Sequence, residues 1–123
     1  MLSRIALISG LYDIVAGAFL LLAADHLDTL FGLPPASPRI FSDLNGLFLL
    51  AVGIGYALPW REPRRYRAYM WIMGPMLKGA GAAAFLLDYV FRGSPRSFLL
   101  FAASDGLLAL VTLAALLGER EGR

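Results

Sequence analysis

The 123-residue chain has no cysteine, one histidine, one lysine and few charges of any kind. Without cysteine it has no disulfide, no thiolate metal site and no cysteine nucleophile. His26 alone is a poor basis for a transition-metal centre, which draws on several nitrogen or sulfur ligands; it lies in a solvated connection and is assigned no role. Charged residues make up 16% of the chain, against about 25% in an ordinary soluble domain. What fills their place is apolar: 59% of residues are hydrophobic. That balance points to one integral membrane domain over residues 1–123.

Four apolar runs are legible, at residues 4–24, 40–60, 68–91 and 98–117. Each is near the ~20 residues that carry an α-helix across a ~30 Å hydrocarbon core. The expected fold is therefore all-α, a four-helix transmembrane bundle. The first run holds Asp13, which costs about 2.5–3.5 kcal/mol on insertion scales, while each Leu, Ile, Val or Phe returns roughly 0.3–0.6. Its many aliphatic residues outweigh the single acid. The central Asp and the length argue against a cleaved signal peptide, whose apolar core is about 7–15 residues. In the connection 25–39, Leu27, Leu30 and Phe31 suit an interfacial turn, and Gly32 with Pro34-Pro35 ends any helix. Ser42 or Asp43 is the expected N-cap of the second run. Trp60 at its close suits the headgroup belt.

Ten of the eleven basic residues are arginine. If the hairpin REPRRYR (61–67) is cytoplasmic, seven arginines fall on that side and three on the other. The positive-inside rule then places both termini in the cytoplasm. The basic hairpin thus needs no nucleic acid as partner; the lipid bilayer accounts for it. Arginine in preference to lysine, with abundant Ala, Gly and Leu, points to a bacterial inner membrane.

The exception among the bases is Lys78, in the middle of the third run. A cation at that depth is a functional-site hypothesis by default. Projected at ~1.5 Å per residue, Asp13, Lys78 and Asp105 fall within a few ångströms of the midplane. Each lies on the stripe of its helix richest in small and polar residues: Ala6, Ser9 and Gly17 beside Asp13; Gly74 and Gly81 beside Lys78; Ala102, Ala109 and Thr112 beside Asp105. Charges facing inward with leucines facing lipid are the expected arrangement. From the second helix, Asn45 and Tyr56 are expected to reach the outer and inner halves of the same interior. Small residues at Ser3, Gly10, Gly17 and Ala24 recur every seven positions and are read as helix packing. Pro75, three residues before Lys78, removes a backbone donor and should kink the third helix, so that Gly74-Pro75 lines a cavity.

One lysine cannot neutralise two buried carboxylates. Burial disfavours the charged form of each group and pairing restores it. The expectation is that Lys78 pairs with one Asp, while the other is protonated or meets a cationic or hydrogen-bonding ligand. An Asp–Lys pair that only fixes helix register is the competing account. Lysine where every other base is arginine favours function, because only lysine readily loses its proton when buried.

The stretches NGLFLLAVGIGYALPWREP (45–63), MGPMLKGAGA (73–82) and SDGLLAL (104–110) resemble the small four-helix bacterial inner-membrane proteins of the DoxX-like and related families. The resemblance implies a four-helix membrane protein and carries no catalytic residues to this chain. The function expected is binding of a lipophilic or quinone-like small molecule, with Lys78 donating to a carbonyl or anion, or service as an accessory subunit of a membrane complex. A proton-coupled transporter is the alternative, and with four helices it would act as a homodimer or larger assembly. A membrane enzyme on a lipid-soluble substrate is a further alternative, though no nucleophile–base pair, metal ligand set or phosphate loop supports it. No cofactor is implied.

Overall fold

The computed structural model describes residues 1–23, 29, 30, 32, 40–93 and 95–121, with the side chains of Phe41 and residues 119–121 excepted. Ala24, His26, Leu27, Phe31, Pro34, Pro35 and Arg39, for which the sequence raised expectations, lie outside the described residues. All regular structure among the described residues is helical: α1 (Leu2–Leu22), α2 (Ile40–Gly55), α3 (Ala57–Arg61), α4 (Arg67–Trp71), a π-helical segment (Ile72–Lys78), α5 (Gly79–Arg92) and α6 (Ser97–Glu121). Grouped end to end they give four helices long and apolar enough to cross a membrane, the first to fourth spans: Leu2–Leu22, Ser42–Arg61, Arg67–Arg92 and Ser97–Gly118.

Two prolines set the internal breaks. Pro59 has no N–H to offer the carbonyl of Gly55, and its ring crowds that carbonyl. The second span accordingly changes register at Tyr56, whose N–H is shared between the carbonyls of Val52 and Gly53, each at 3.2 Å. Pro75 acts likewise on the third span. The kink expected there takes a specific form, in which residues 72–78 widen into a π-helix. Such widened turns are rare and concentrate at functional positions. The N-cap expectation is corrected: α2 already begins at Ile40, so Asp43 sits inside the first turn. There it complements the helix dipole instead of capping the end.

The first and second spans run antiparallel with their backbones in direct contact. A Cβ built on Gly17 would stand 2.7 Å from the carbonyl oxygen of Gly46, and one on Gly53 would stand 2.8 Å from that of Gly10. The seven-residue spacing of Gly10 and Gly17 on one helix meets the same spacing of Gly46 and Gly53 on the other. Small residues let helix backbones approach closely.

All four spans meet at the end that carries the 61–67 hairpin. Leu2, Ile5, Val52, Tyr56, Met70 and Leu116 form the buried core there. Ser3 Oγ donates to the Trp60 carbonyl at 2.7 Å, and the Arg67 guanidinium donates to the carbonyl of Leu116. At the far end the third and fourth spans pack on each other, through Phe85 against Phe98 and Phe101. No residue of α5 is buried there. Large apolar side chains such as Ile8, Val15, Phe19, Ile54 and Leu110 face outward. An apolar surface of that extent marks a protein that meets lipid or another protein.

Candidate functional site

Halfway along the spans, just above the buried core, Lys78 Nζ donates to Asp13 Oδ1 at 2.7 Å. The two side chains are only 6% and 1% exposed. The chain's one lysine therefore meets a carboxylate inside the bundle, with the first and third spans supplying one partner each. Lys78 is the last residue of the π-helical segment, so the register shift caused by Pro75 ends where the charge is presented. Gly74, one turn earlier, admits the fourth span: a Cβ there would lie 2.7 Å from the Thr112 methyl. The Thr112 hydroxyl turns back to its own helix and donates to the Leu108 carbonyl at 2.6 Å.

The ammonium also lies 5.3 Å from the centroid of the Tyr12 ring, within the range at which an aromatic face attracts a cation. Tyr12 in turn meets Ser104 hydroxyl to hydroxyl at 2.8 Å. This contact ties the first span to the fourth. Each hydroxyl residue immediately precedes an acid, as Tyr12-Asp13 and Ser104-Asp105, so one bridge brings both carboxylates to the same level. Asp105 lies within electrostatic reach of Lys78 and Asp13. Its carboxylate is part-exposed and lies along Gly81, where a Cβ would stand 3.5 Å from Oδ2.

On the other side of Asp13 lie Ser9, one turn earlier on the same helix, and Tyr56 from the second span. Both are fully buried. Their hydroxyls face one another, yet Ser9 Oγ, Tyr56 Oη and Asp13 Oδ2 all lack a completed hydrogen bond. Buried polar atoms are nearly always paired, so two unsatisfied hydroxyls beside a carboxylate oxygen that itself lacks a donor set this locality apart.

Asp13, Lys78, Asp105 and Tyr56 thus surround one polar locality. Asn45 does not join it. Its side chain is exposed, because the next residue, Gly46, is the one pressed against the first span, and one step along a helix turns a side chain by about 100°. Reading the charged residues alone passes over Tyr12 and Ser104. Their position immediately before each acid was the available signal. Comparison with protein-family models, with curated proteins and with solved structures finds no match for this chain.

Proposed function

We propose that the chain is a multi-pass protein of the bacterial inner membrane, and that its interior ion pair binds the polar head of a small lipophilic molecule. The observation that carries this reading is the Lys78–Asp13 contact of 2.7 Å, buried between helices long and apolar enough to cross a bilayer. Two charges at that depth each cost about 2.5–3.5 kcal/mol on insertion. Well-packed apolar residues would hold two helices together at least as well as a buried pair does. The π-helical segment and the unpaired atoms around Asp13 add to the case, since a purely structural pair would have its acceptors filled. The part-exposed side at Asp105, Tyr12 and Ser104 gives a head group its approach.

Native mass spectrometry of the protein purified in lipid nanodiscs tests this. The wild-type chain should carry a small molecule that Lys78→Ala has lost. Identical spectra from both, with only the variant's thermal stability lowered, would reduce the pair to a structural role.

In this reading the 61–67 hairpin and both termini face the cytoplasm. The absence of native cysteine makes the topology directly measurable. Arg64→Cys should react with an impermeant maleimide only after the cells are opened, and Arg96→Cys should react in intact cells. The reverse pattern would invert the orientation.

One observation favours transport as a second reading. Pro75 and the π-helical segment interrupt the third span beside a buried charge, and interrupted helices at mid-membrane are where carriers place their sites. Proton-dependent flux in proteoliposomes, abolished by Lys78→Ala, is its signature.

A further inference from the structure

If the interior site holds a polar head group, the charges around it specify the chemistry of that group, an inference that rests on the binding proposal. Three ionisable side chains at this level carry opposite signs in unequal number: Lys78 against Asp13 and Asp105. The lysine charge is committed to Asp13 Oδ1 at 2.7 Å. Asp105, half-buried, makes no salt bridge or side-chain hydrogen bond among the described residues. The second oxygen of Asp13, 1% exposed as a residue, has no donor either. Nor have the buried oxygens of Ser9 and Tyr56 completed a bond.

With both acids ionised, the locality carries one negative charge more than its single ammonium balances. An ionised carboxylate can only accept. An anionic head would add to this negative surplus, and a neutral carbonyl would leave it unbalanced. A protonated amine brings what is missing, a positive charge and up to three N–H donors. Charge-assisted hydrogen bonds are the strong ones, more so away from water. The approach is open on the matching side, where Asp105 lies along the bare backbone of Gly81.

We infer that the interior site takes a lipophilic organic ammonium, with Asp105 as its counter-charge and the free oxygen of Asp13 as a neighbouring acceptor. Lys78 then acts as the fixed partner that orients Asp13. It is not the group that contacts the ligand's charge.

The test uses the full chain in nanodiscs of zwitterionic lipid, which do not themselves attract cations. The probes are benzylamine, benzyl alcohol and benzoate, one ring with a positive, neutral or negative head. Binding is read by saturation-transfer NMR and by thermal stabilisation. Benzylamine should bind about tenfold tighter than the alcohol, the worth of roughly one charge-assisted hydrogen bond, and benzoate should not bind. Asp105→Asn should erase the amine's advantage while leaving alcohol binding in place, and Asp105→Glu should keep the advantage. Equal or tighter binding of the alcohol or of benzoate overturns the inference, as does an amine preference that survives in Asp105→Asn. Sodium chloride that stabilises as well as the amine, through Asp105, also overturns it by making the ligand an inorganic ion. If alcohol binding is lost in Lys78→Ala while the amine shows no preference, the charge assignment fails and the binding site stands. If no probe distinguishes wild type from Lys78→Ala, both fail.

Discussion

Replacing Lys78 with methionine should lower stability by about 3–5 kcal/mol, the usual cost of removing one partner from a buried ion pair. The loss arises because Asp13 stays behind. Its carboxylate is 1% exposed, one of its oxygens already lacks a donor, and without the ammonium at 2.7 Å the other would lack one too. Removing both charges should undo most of this. The double variant Asp13→Asn/Lys78→Met leaves neither member of the pair charged, and such replacements range from neutral to stabilising. The double variant should therefore unfold within about 1 kcal/mol of wild type, a coupling far larger than the few tenths expected of independent sites. Unfolding of each variant in matched detergent micelles gives the cycle. A single-variant loss below about 1 kcal/mol would mean that the pair behaves like an exposed one and that water reaches the site freely. The cycle separates stability from function as well. If binding disappears in the double variant while stability returns, the charges are kept for the ligand.

That the pair would form was legible in the sequence, but which acid would take the lysine was not. Depth follows from counting residues at about 1.5 Å each, and depth alone puts Asp13 and Asp105 at the same level. The choice between them is made by lateral position, which is set by how closely the helices pack. Gly74 against Thr112 and the widened turn before Lys78 aim the ammonium at the first span. Pro75 announces that the third helix departs from α geometry, since it removes a donor wherever it sits. That the departure is a π-helix depends on the neighbours it must fit, and periodicity does not encode them. Asn45 shows the limit from the other side. A stripe drawn through Ser42, Asn45, Gly46, Leu49, Gly53 and Tyr56 is sound as a pattern, and Gly46 and Gly53 on it do meet the first span, but Asn45, one step before Gly46, is exposed. The hydroxyl bridge between Tyr12 and Ser104 needed only the observation that each precedes a mid-helix acid.

The glycines between the first two spans are where local propensity and tertiary contact ask for opposite residues, and alanine should change sign accordingly. Within a helix, Gly costs about 0.8–1.0 kcal/mol relative to Ala, so Gly→Ala at an uncrowded helical position should stabilise. Gly79 and Gly118 are such positions: a Cβ on Gly79 would come no closer than 3.9 Å to Ala109 Cβ, and one on Gly118 would meet nothing within 4 Å. At Gly53 the same methyl would stand 2.8 Å from both the Gly10 carbonyl oxygen and the Ile14 amide nitrogen. At Gly17 it would stand 2.7 Å from the Gly46 carbonyl oxygen and 2.9 Å from the Leu50 nitrogen. These obstacles are backbone and have no rotamer to yield, so the two helices must move apart. Overpacking of this kind costs about 1–3 kcal/mol, which more than cancels the propensity gain. Gly53→Val should cost more again, because both of its branches meet the same wall. The consequence reaches the charged pair. Ser9, Asp13 and Tyr56 are brought together by this helix–helix contact, so widening it loosens the wall of the site and should weaken the coupling between Lys78 and Asp13. Thermal midpoints in one detergent, compared across Gly53→Ala, Gly17→Ala, Gly79→Ala and Gly118→Ala, decide the matter. Losses at the first two with small gains at the last two are the expected pattern. Gains at all four would mean that direct contact between the first two spans is not what holds the polar locality together.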